Sequence, residues 1–139
     1  MGGVSTEGEV RNRVYSYAWD GSNVPGSHYA DPVFSWAESR GVTDIEFLNS
    51  SAFGSIYENG IFAGDITSGI LYYFQPNADR TGMGLENDPL LNDMVADSDD
   101  ELSGVTLGTG LTGISEIETG PDGNLYILTY DKTRVREVS

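Results

Sequence analysis

The chain has 139 residues, the length of one ordinary domain, and its 22 acidic against 7 basic residues give a formal net charge of −15. This balance excludes nucleic acid and anionic membranes as partners, because a phosphate-rich surface is bound through clustered Lys and Arg. No apolar run approaches the ~20 residues that a membrane-spanning helix requires. Cysteine is absent, so a disulfide framework and thiolate chemistry are excluded as well.

Two apolar elements in the first half of the chain recur in the second half. GVTDIE at residues 41–46 returns as GISEIE at residues 113–118. NGIFAG at residues 59–64 is matched by GNLYIL at residues 123–128. Such self-similarity is typical of repeat architectures.

A third element closes each unit. It is ILYYF at residues 70–74 and RVREV at residues 134–138, and an earlier copy, VYSYAW, occupies residues 14–19. Their starts are 56 and 64 residues apart, which suits four-stranded β-propeller blades with long loops. The elements are rich in β-branched and aromatic residues and bounded by turn residues, and no helical stripe occurs. We therefore predict an all-β fold of antiparallel propeller blades.

The repeat divides the chain into four parts. Residues 1–9 are predicted to be a flexible N-terminal arm, residues 10–36 the last strands of a partial blade, residues 37–108 a complete blade, and residues 109–139 three strands of a further blade. About two blades cannot close a ring, since propellers need ~4–8. We therefore expect self-association, in which a strand from a neighbour's N-terminal segment completes the last blade. Three copies would close a six-bladed ring, and a dimer is the alternative.

Seven of the acidic residues form a block without any basic residue among them. They are Glu86, Asp88, Asp93, Asp97, Asp99, Asp100 and Glu101. A block of like charge is typical of a solvated loop. Calcium binding is the alternative, but the block lacks the D-x-[DN]-x-[DN]-G-x5-E spacing that surrounds one calcium ion with oxygens. We expect a solvated loop without a metal site.

Five segments of the chain match a known family in their order and spacing. They are DPVFSW at 31–36, YENGIFAGD at 57–65, GILYYF at 69–74, NADRTG at 77–82 and GPDGNLYIL at 120–128. In these the chain resembles the soluble glucose/sorbosone dehydrogenases, six-bladed propellers that use pyrroloquinoline quinone (PQQ) and calcium. The resemblance spans roughly residues 14–138, but only the C-terminal third to half of the family's propeller. It implies part of a sugar oxidoreductase, periplasmic or extracellular, whose catalytic histidine and calcium site belong to other blades.

The resemblance also implies where basic residues would contact PQQ. Those positions fall on Thr67, Gly113 and Ser115, none of which is charged. Charge-assisted contacts contribute ~1.5–3 kcal/mol each, so their loss would severely weaken binding of a tricarboxylate. The only histidine, His28, lies in a loop without a matching motif and is expected to be an ordinary surface residue. We therefore expect no catalytic residue in this chain and assign no cofactor to it.

In propellers, ligands enter a funnel lined by the loops before the first strand and between the second and third strands. Here those loops are expected to present Trp36, Arg40, Asp65, Thr67, Thr112 and Lys132. Trp36 matches a tryptophan near the family's active-site rim, and packing between blades is its alternative role. Because planar hydrogen-bonding groups beside an aromatic ring suit sugars, Trp36 with Arg40 and Asp65 is a candidate carbohydrate site. The alternative function is thus a non-catalytic propeller module that binds carbohydrate or protein.

Overall fold

A computed structural model describes residues 30–130 and 134–138, without the side chains of residues 134–136. Its strands are β1 Ser35–Trp36, β2 Val42–Phe47, β3 Ile61–Asp65, β4 Leu71–Phe74, β5 Val95–Ala96, β6 Thr106–Gly108, β7 Ile114–Thr119, β8 Leu125–Thr129 and β9 Arg134–Val138. The all-β prediction is confirmed. The predicted arm at 1–9, the predicted strand at 14–19 and His28 lie outside the described residues.

The longer strands form two antiparallel sheets. Sheet 1 has the order β2-β3-β4-β6, and sheet 2 has the order β7-β8-β9. Each sheet contains the strands that the repeat predicts, in chain order, and within the described residues neither closes on itself. The identity of the sheets as propeller blades stays a prediction. The single 3-10 helix of the described residues, Asp99–Gly104, is far too short to cross a membrane.

The pairing of β2 with β3 in sheet 1 contains a β-bulge. The pairing shifts between Val42 and Asp44, so that Asp44 lies opposite Gly64 and Thr43 occupies the bulge. The Thr43 hydroxyl lies 2.6 Å from the main-chain oxygen of Ile114 and 3.3 Å from that of Gly64. A bulge re-aims one side chain of a strand, and here it directs a hydroxyl toward sheet 2.

Sheet 2 repeats this bulge at the matching place. The pairing shifts between Ile114 and Glu116, Glu116 lies opposite Leu128, and Ser115 occupies the bulge. The Ser115 hydroxyl lies 3.2 Å from the main-chain oxygen of Leu128. The sequence repeat is therefore a repeat of strand register as well, and its hydroxyl residue has the same local position in both sheets.

Sheet 1 contributes side chains from both faces to two cores, because successive side chains of a strand point to opposite faces. The inter-sheet core, toward sheet 2, contains Leu48, Phe62, Leu71, Ile114, Ile117, Leu125 and Ile127. The outer core, on the opposite face, contains Phe34, Ile61, Ala63, Tyr72, Phe74, Leu91, Ala96, Leu102 and Val105.

The outer core is covered by the segment that was expected to be a solvated loop. Its acidic side chains are mostly exposed, as expected of like charges. Leu91, Ala96 and Leu102 are nevertheless buried in the outer core, so the prediction of a simple solvated loop is wrong. Within this segment β5 pairs in parallel with β1, and Trp36 lies opposite Ala96. The apolar residues are too irregularly spaced to indicate an element, which is why the charges dominated the prediction.

The two sheets meet along β2 and β7, each of which is the edge strand of its sheet. An edge strand presents main-chain N–H groups without a ladder partner. Here the side chains of β2 accept these hydrogen bonds: Ile117 N lies 2.6 Å from Asp44 Oδ2, and Thr119 N lies 3.0 Å from Glu46 Oε1. Glu46 also accepts from the Thr119 hydroxyl. The acidic residues of the GVTDIE element therefore fasten one sheet to the other.

Gly64 allows the close approach of the sheets, because a Cβ there would lie 2.3 Å from Ile114 Cγ2. We expect Gly64→Ala to lower the free energy of unfolding by about 1–3 kcal/mol, since the sheets must separate. Gly108→Ala is the control: its Cβ would meet nothing closer than Leu111 Cδ1 at 3.9 Å, and it should change stability by less than about 1 kcal/mol. Urea denaturation measures both, and equal effects would contradict the tight contact.

Candidate functional site

Strand β3 ends in a buried carboxylate. Asp65 has 0% exposure. Its Oδ1 accepts hydrogen bonds from Gly41 N at 3.0 Å and Thr67 N at 2.8 Å, and its Oδ2 accepts from the Ser68 hydroxyl. Asp65 thus holds the turn after β3 against the start of β2. It was predicted to face a ligand, but its oxygens are occupied by the chain itself, so we interpret it as a structural group.

Two opposing effects act on the acidity of Asp65. Burial by itself would raise its pKa, because the charged form loses hydration. The hydrogen bonds from the Ser68 hydroxyl and from the N–H groups of Thr67 and Gly41 stabilise the charged form, and the net result is a pKa lowered from the usual 3.8. Asp65 is therefore an anion at neutral pH, and its charge is close enough to Tyr72 to act on that hydroxyl.

Trp36 and Arg40, which were predicted to belong to one carbohydrate site, line one cleft. The cleft is too narrow to hold a separate water molecule. The lining residues are Trp36, Glu38, Arg40, Ala96, Ser98, Asp99 and Leu102. The Arg40 side chain is only 10% exposed, and its Nη2 pairs with Asp99 and, at 3.9 Å, with Glu38. The cleft is therefore narrow, its walls combine apolar and charged side chains, and its one cation, Arg40, is already paired with carboxylates.

Three buried polar atoms in this region have no hydrogen-bond partner among the described residues. They are Trp36 Nε1, Arg40 Nε and the Tyr72 hydroxyl oxygen. Tyr72 is fully buried, and its ring centroid lies 5.4 Å from that of Trp36. Ser68 lies near the Tyr72 hydroxyl and acts to lower its pKa, while the Ser68 hydroxyl itself donates to Asp65. Since nearly all buried polar groups in proteins are paired, three unpaired atoms in one place call for an explanation.

The Tyr72 hydroxyl stays protonated near neutral pH. Burial raises its pKa, the Arg40 guanidinium opposes this effect, and the Asp65 carboxylate adds to it. The net direction is upward, so Tyr72 offers a neutral O–H that can both donate and accept a hydrogen bond. The region therefore combines two N–H donors with one hydroxyl.

The ring of Trp36 is largely used by the outer core. Its centroid lies 4.9 Å from that of Phe34, with the rings edge to face, and 6.5 Å from that of Phe74. The packing role considered as an alternative for Trp36 thus describes its ring. The indole N–H is buried and has no hydrogen-bond partner among the described residues.

Thr67 and Thr112 are exposed, and neither lines the cleft. They lie on two loops that touch, because Leu111 N donates to the main-chain oxygen of Gly69 at 3.1 Å. Thr112 has a φ of 47°, a left-handed conformation that is unusual for a β-branched residue. Lys132 lies outside the described residues. The ligand-facing role of the two threonines stays a prediction.

The positions that the resemblance assigns to PQQ do not fit this cofactor. Thr67 is neutral, Gly113 has no side chain, and the Ser115 hydroxyl is 3.2 Å from the Leu128 oxygen to which it donates. A tricarboxylate is bound through cationic donors, and these positions supply none. The described residues also contain no group of three or more acidic or histidine side chains that could hold a metal ion.

Comparison of the chain with protein-family models, with curated proteins and with solved structures finds no match. The relation to glucose/sorbosone dehydrogenases therefore stays a prediction, and the cleft has to be interpreted from its own chemistry.

Sequence reasoning did not find Tyr72 or Asp99. Tyr72 lies in the apolar element ILYYF, where nothing in the sequence distinguishes it from Tyr73. Asp99 is one acid in a block of seven, all of which were assigned to a solvated loop. The only usable signal was Arg40 itself, since a lone cation in a strongly acidic chain is expected to have a carboxylate partner.

The lowered pKa of Asp65 predicts a specific dependence of stability on pH. A depressed carboxyl pKa contributes stability that is present above the unfolded-state value, near 3.8, and is lost as the pH falls through the folded-state value. We expect Asp65→Asn to lower the free energy of unfolding by about 2 kcal/mol at neutral pH, with a smaller difference from wild type below that range. Denaturant titrations across pH measure this. Asp100→Asn, at an exposed carboxylate, is the control, and a pH-independent difference at Asp65 would contradict the assignment.

Proposed function

We propose that the chain is a non-catalytic β-propeller module that binds a small neutral carbohydrate at the Trp36–Arg40 cleft. The observation that carries this proposal is the set of three buried polar atoms without partners, on Trp36, Arg40 and Tyr72. Such groups are costly in a folded protein, by about 1–3 kcal/mol each. A ligand with several hydroxyl groups offsets that cost by pairing with all three.

The charge of the surroundings selects against anionic ligands. Arg40 is already paired with Asp99 and Glu38, and the anion of Asp65 lies nearby in a chain of net charge −15. A carboxylate or phosphate entering the cleft would be repelled. A neutral sugar avoids this, because its hydroxyls accept from the N–H groups and donate to the carboxylates.

The narrowness of the cleft limits how a sugar enters. No water-sized space exists beside Trp36, so the Arg40 side chain must turn aside when a ring or its hydroxymethyl arm is bound. Asp99 is exposed on the covering segment, and its ion pair with Arg40 is the contact that opens. Binding is accordingly expected to be weak for single sugars, because part of the interaction free energy is spent on this change.

The resemblance supports a wider role for the assembly. We propose, on that basis alone, that the two sheets are successive blades of the C-terminal part of a sugar-oxidising propeller, with the catalytic groups outside this chain. The PQQ positions Thr67, Gly113 and Ser115 do not fit the cofactor, so this chain by itself should give no heat of binding with PQQ and calcium in calorimetry. Binding of PQQ by the isolated chain would contradict the non-catalytic assignment.

Two adjacent tyrosines provide a matched test of the cleft. We expect Tyr72→Phe to weaken binding of aldoses about threefold to tenfold while leaving the free energy of unfolding unchanged or raised, because it removes an unpaired buried hydroxyl. We expect Tyr73→Phe to keep binding but to lose about 1 kcal/mol of stability, because the Tyr73 hydroxyl lies 2.8 Å from the main-chain oxygen of Ile56.

The measurements are calorimetric titration with a panel of neutral aldoses and urea denaturation of each variant. Shifts of the Trp36 indole N–H resonance locate the bound sugar. A panel without any binding, or binding that both tyrosine variants retain equally, would contradict the carbohydrate site.

A further inference from the structure

Each sheet has one face that points away from the other sheet. The outward face of sheet 1 has exposed apolar side chains, and that of sheet 2 has exposed carboxylates. On sheet 1 the outer face exposes Ile45 to 54% and Phe47 to 59%, although both lie on the same strand face as the buried Ile61 and Ala63. The segment that covers the outer core lies over Tyr72, Phe74 and their neighbours and leaves these two side chains uncovered. In the part of the chain that the structure describes, sheet 1 therefore has an exposed apolar edge that no segment covers.

On sheet 2 the outward face has acceptors without donors. Glu116 and Glu118 are exposed, and neither makes a hydrogen bond or an ion pair in the described part of the chain. They lie beside Tyr126 and Leu128, which are half-buried on the same face. Exposed acidic residues on a surface strand are ordinary. The repeat, however, aligns these two with the residues of sheet 1 that bind the neighbouring sheet.

The contact between the two sheets shows what each of these faces can bind. Asp44 and Glu46 of sheet 1 accept hydrogen bonds from the main-chain N–H groups of Ile117 and Thr119. By the repeat, Glu116 and Glu118 occupy the positions of Asp44 and Glu46. The positions of Ile117 and Thr119 are occupied in sheet 1 by Ile45 and Phe47. The outward face of sheet 2 thus corresponds to one side of the contact between the sheets, and the uncovered edge of sheet 1 corresponds to the other side.

We propose that a second copy of this chain docks head to tail, with its β2 edge against the outward face of sheet 2. Glu118 then accepts from the N–H of Phe47 of the second copy, Glu116 takes the position of Asp44 beside Ile45, and Ile45 packs toward Tyr126. The bulge residue Ser115 faces the second copy as Thr43 faces Ile114 at 2.6 Å. This proposal depends on the repeat and not on the carbohydrate cleft.

A head-to-tail contact joins two different faces, so each copy keeps one free face for a further copy. With two sheets from each copy, three copies supply six sheets, the number expected for the ring. The contact forms against a general repulsion between chains of net charge −15, so it should strengthen when salt screens that repulsion.

The test uses the full chain and sedimentation velocity over a range of concentrations, at low and high salt. We expect reversible association that the pair Ile45→Ser and Phe47→Ser abolishes. We also expect the pair Glu116→Ala and Glu118→Ala to weaken association at least about tenfold, because each lost acceptor of a hydrogen bond with a charge is worth about a factor of ten. Removing two negative charges would otherwise favour association.

The control for charge is the pair Glu58→Ala and Asp100→Ala, which removes the same charge from exposed positions and should leave association unchanged or stronger. The control for exposed apolar surface is Ile56→Ser, at a side chain that is 71% exposed and lies outside the proposed contact. It should associate like the wild type.

Mixing the two impaired variants gives the sharpest result. The variant without Ile45 and Phe47 keeps its carboxylates, and the variant without Glu116 and Glu118 keeps its apolar edge. Each associates poorly alone, but together they should form a one-to-one pair through the single intact contact. A monomeric wild type at all concentrations would overturn the proposal, and so would association that survives both variants. Protection of the Phe47 amide from hydrogen exchange in a monomer would also overturn it, because a segment of the same chain would then cover this edge.

Discussion

Two side-chain carboxylates determine how the sheets of this protein sit together. Asp44 and Glu46 project from the edge strand of sheet 1 and accept hydrogen bonds from main-chain N–H groups of the edge strand of sheet 2. A strand ladder would merge the two sheets into one continuous sheet. Side-chain acceptors instead satisfy the edge while leaving the sheets as separate layers with a core between them. Part of the negative charge of the chain is thus structural, because these carboxylates are paired with main-chain N–H groups and not with cationic side chains.

A third carboxylate, Asp65, fixes the backbone next to the cleft. Asp65 holds the turn after β3 to Gly41 at the start of β2, and Gly41 directly follows Arg40. The position of Arg40 therefore depends on a buried anion one strand away, and the covering segment supplies Asp99 as its partner. The unpaired hydroxyl of Tyr72 belongs to the outer core, where the Tyr72 ring lies 5.4 Å from that of Trp36. A network of buried polar groups that is only partly satisfied is costly in the free protein, and it is a common feature of binding sites.

The strands could be predicted from the sequence because each is a short apolar segment between turn residues, and the repeat of GVTDIE as GISEIE located the first strand of both sheets. Their roles could not. Polar residues that alternate with apolar ones along a strand normally indicate its solvent-exposed face. In β2, however, Asp44 and Glu46 are half-buried while Ile45 and Phe47 are exposed. This inversion arises from the neighbouring sheet, which no local pattern reports. The burial of Asp65 and of Leu91 also depends on contacts between distant parts of the chain. Arg40 was found because it precedes a predicted strand, and Trp36 was also indicated by the family resemblance.

The amides of Ile117 and Thr119 test the joining of the sheets most directly. Both belong to an edge strand, and their acceptors within residues 30–130 are the carboxylates of Asp44 and Glu46. Hydrogen exchange followed by nuclear magnetic resonance reports each amide separately. We expect both to exchange orders of magnitude more slowly than an exposed peptide amide, and to lose this protection in a variant with Asp44→Ala and Glu46→Ala that remains folded. Exchange of both amides at the rate of an exposed strand edge in the wild type would contradict the contact that joins the two sheets.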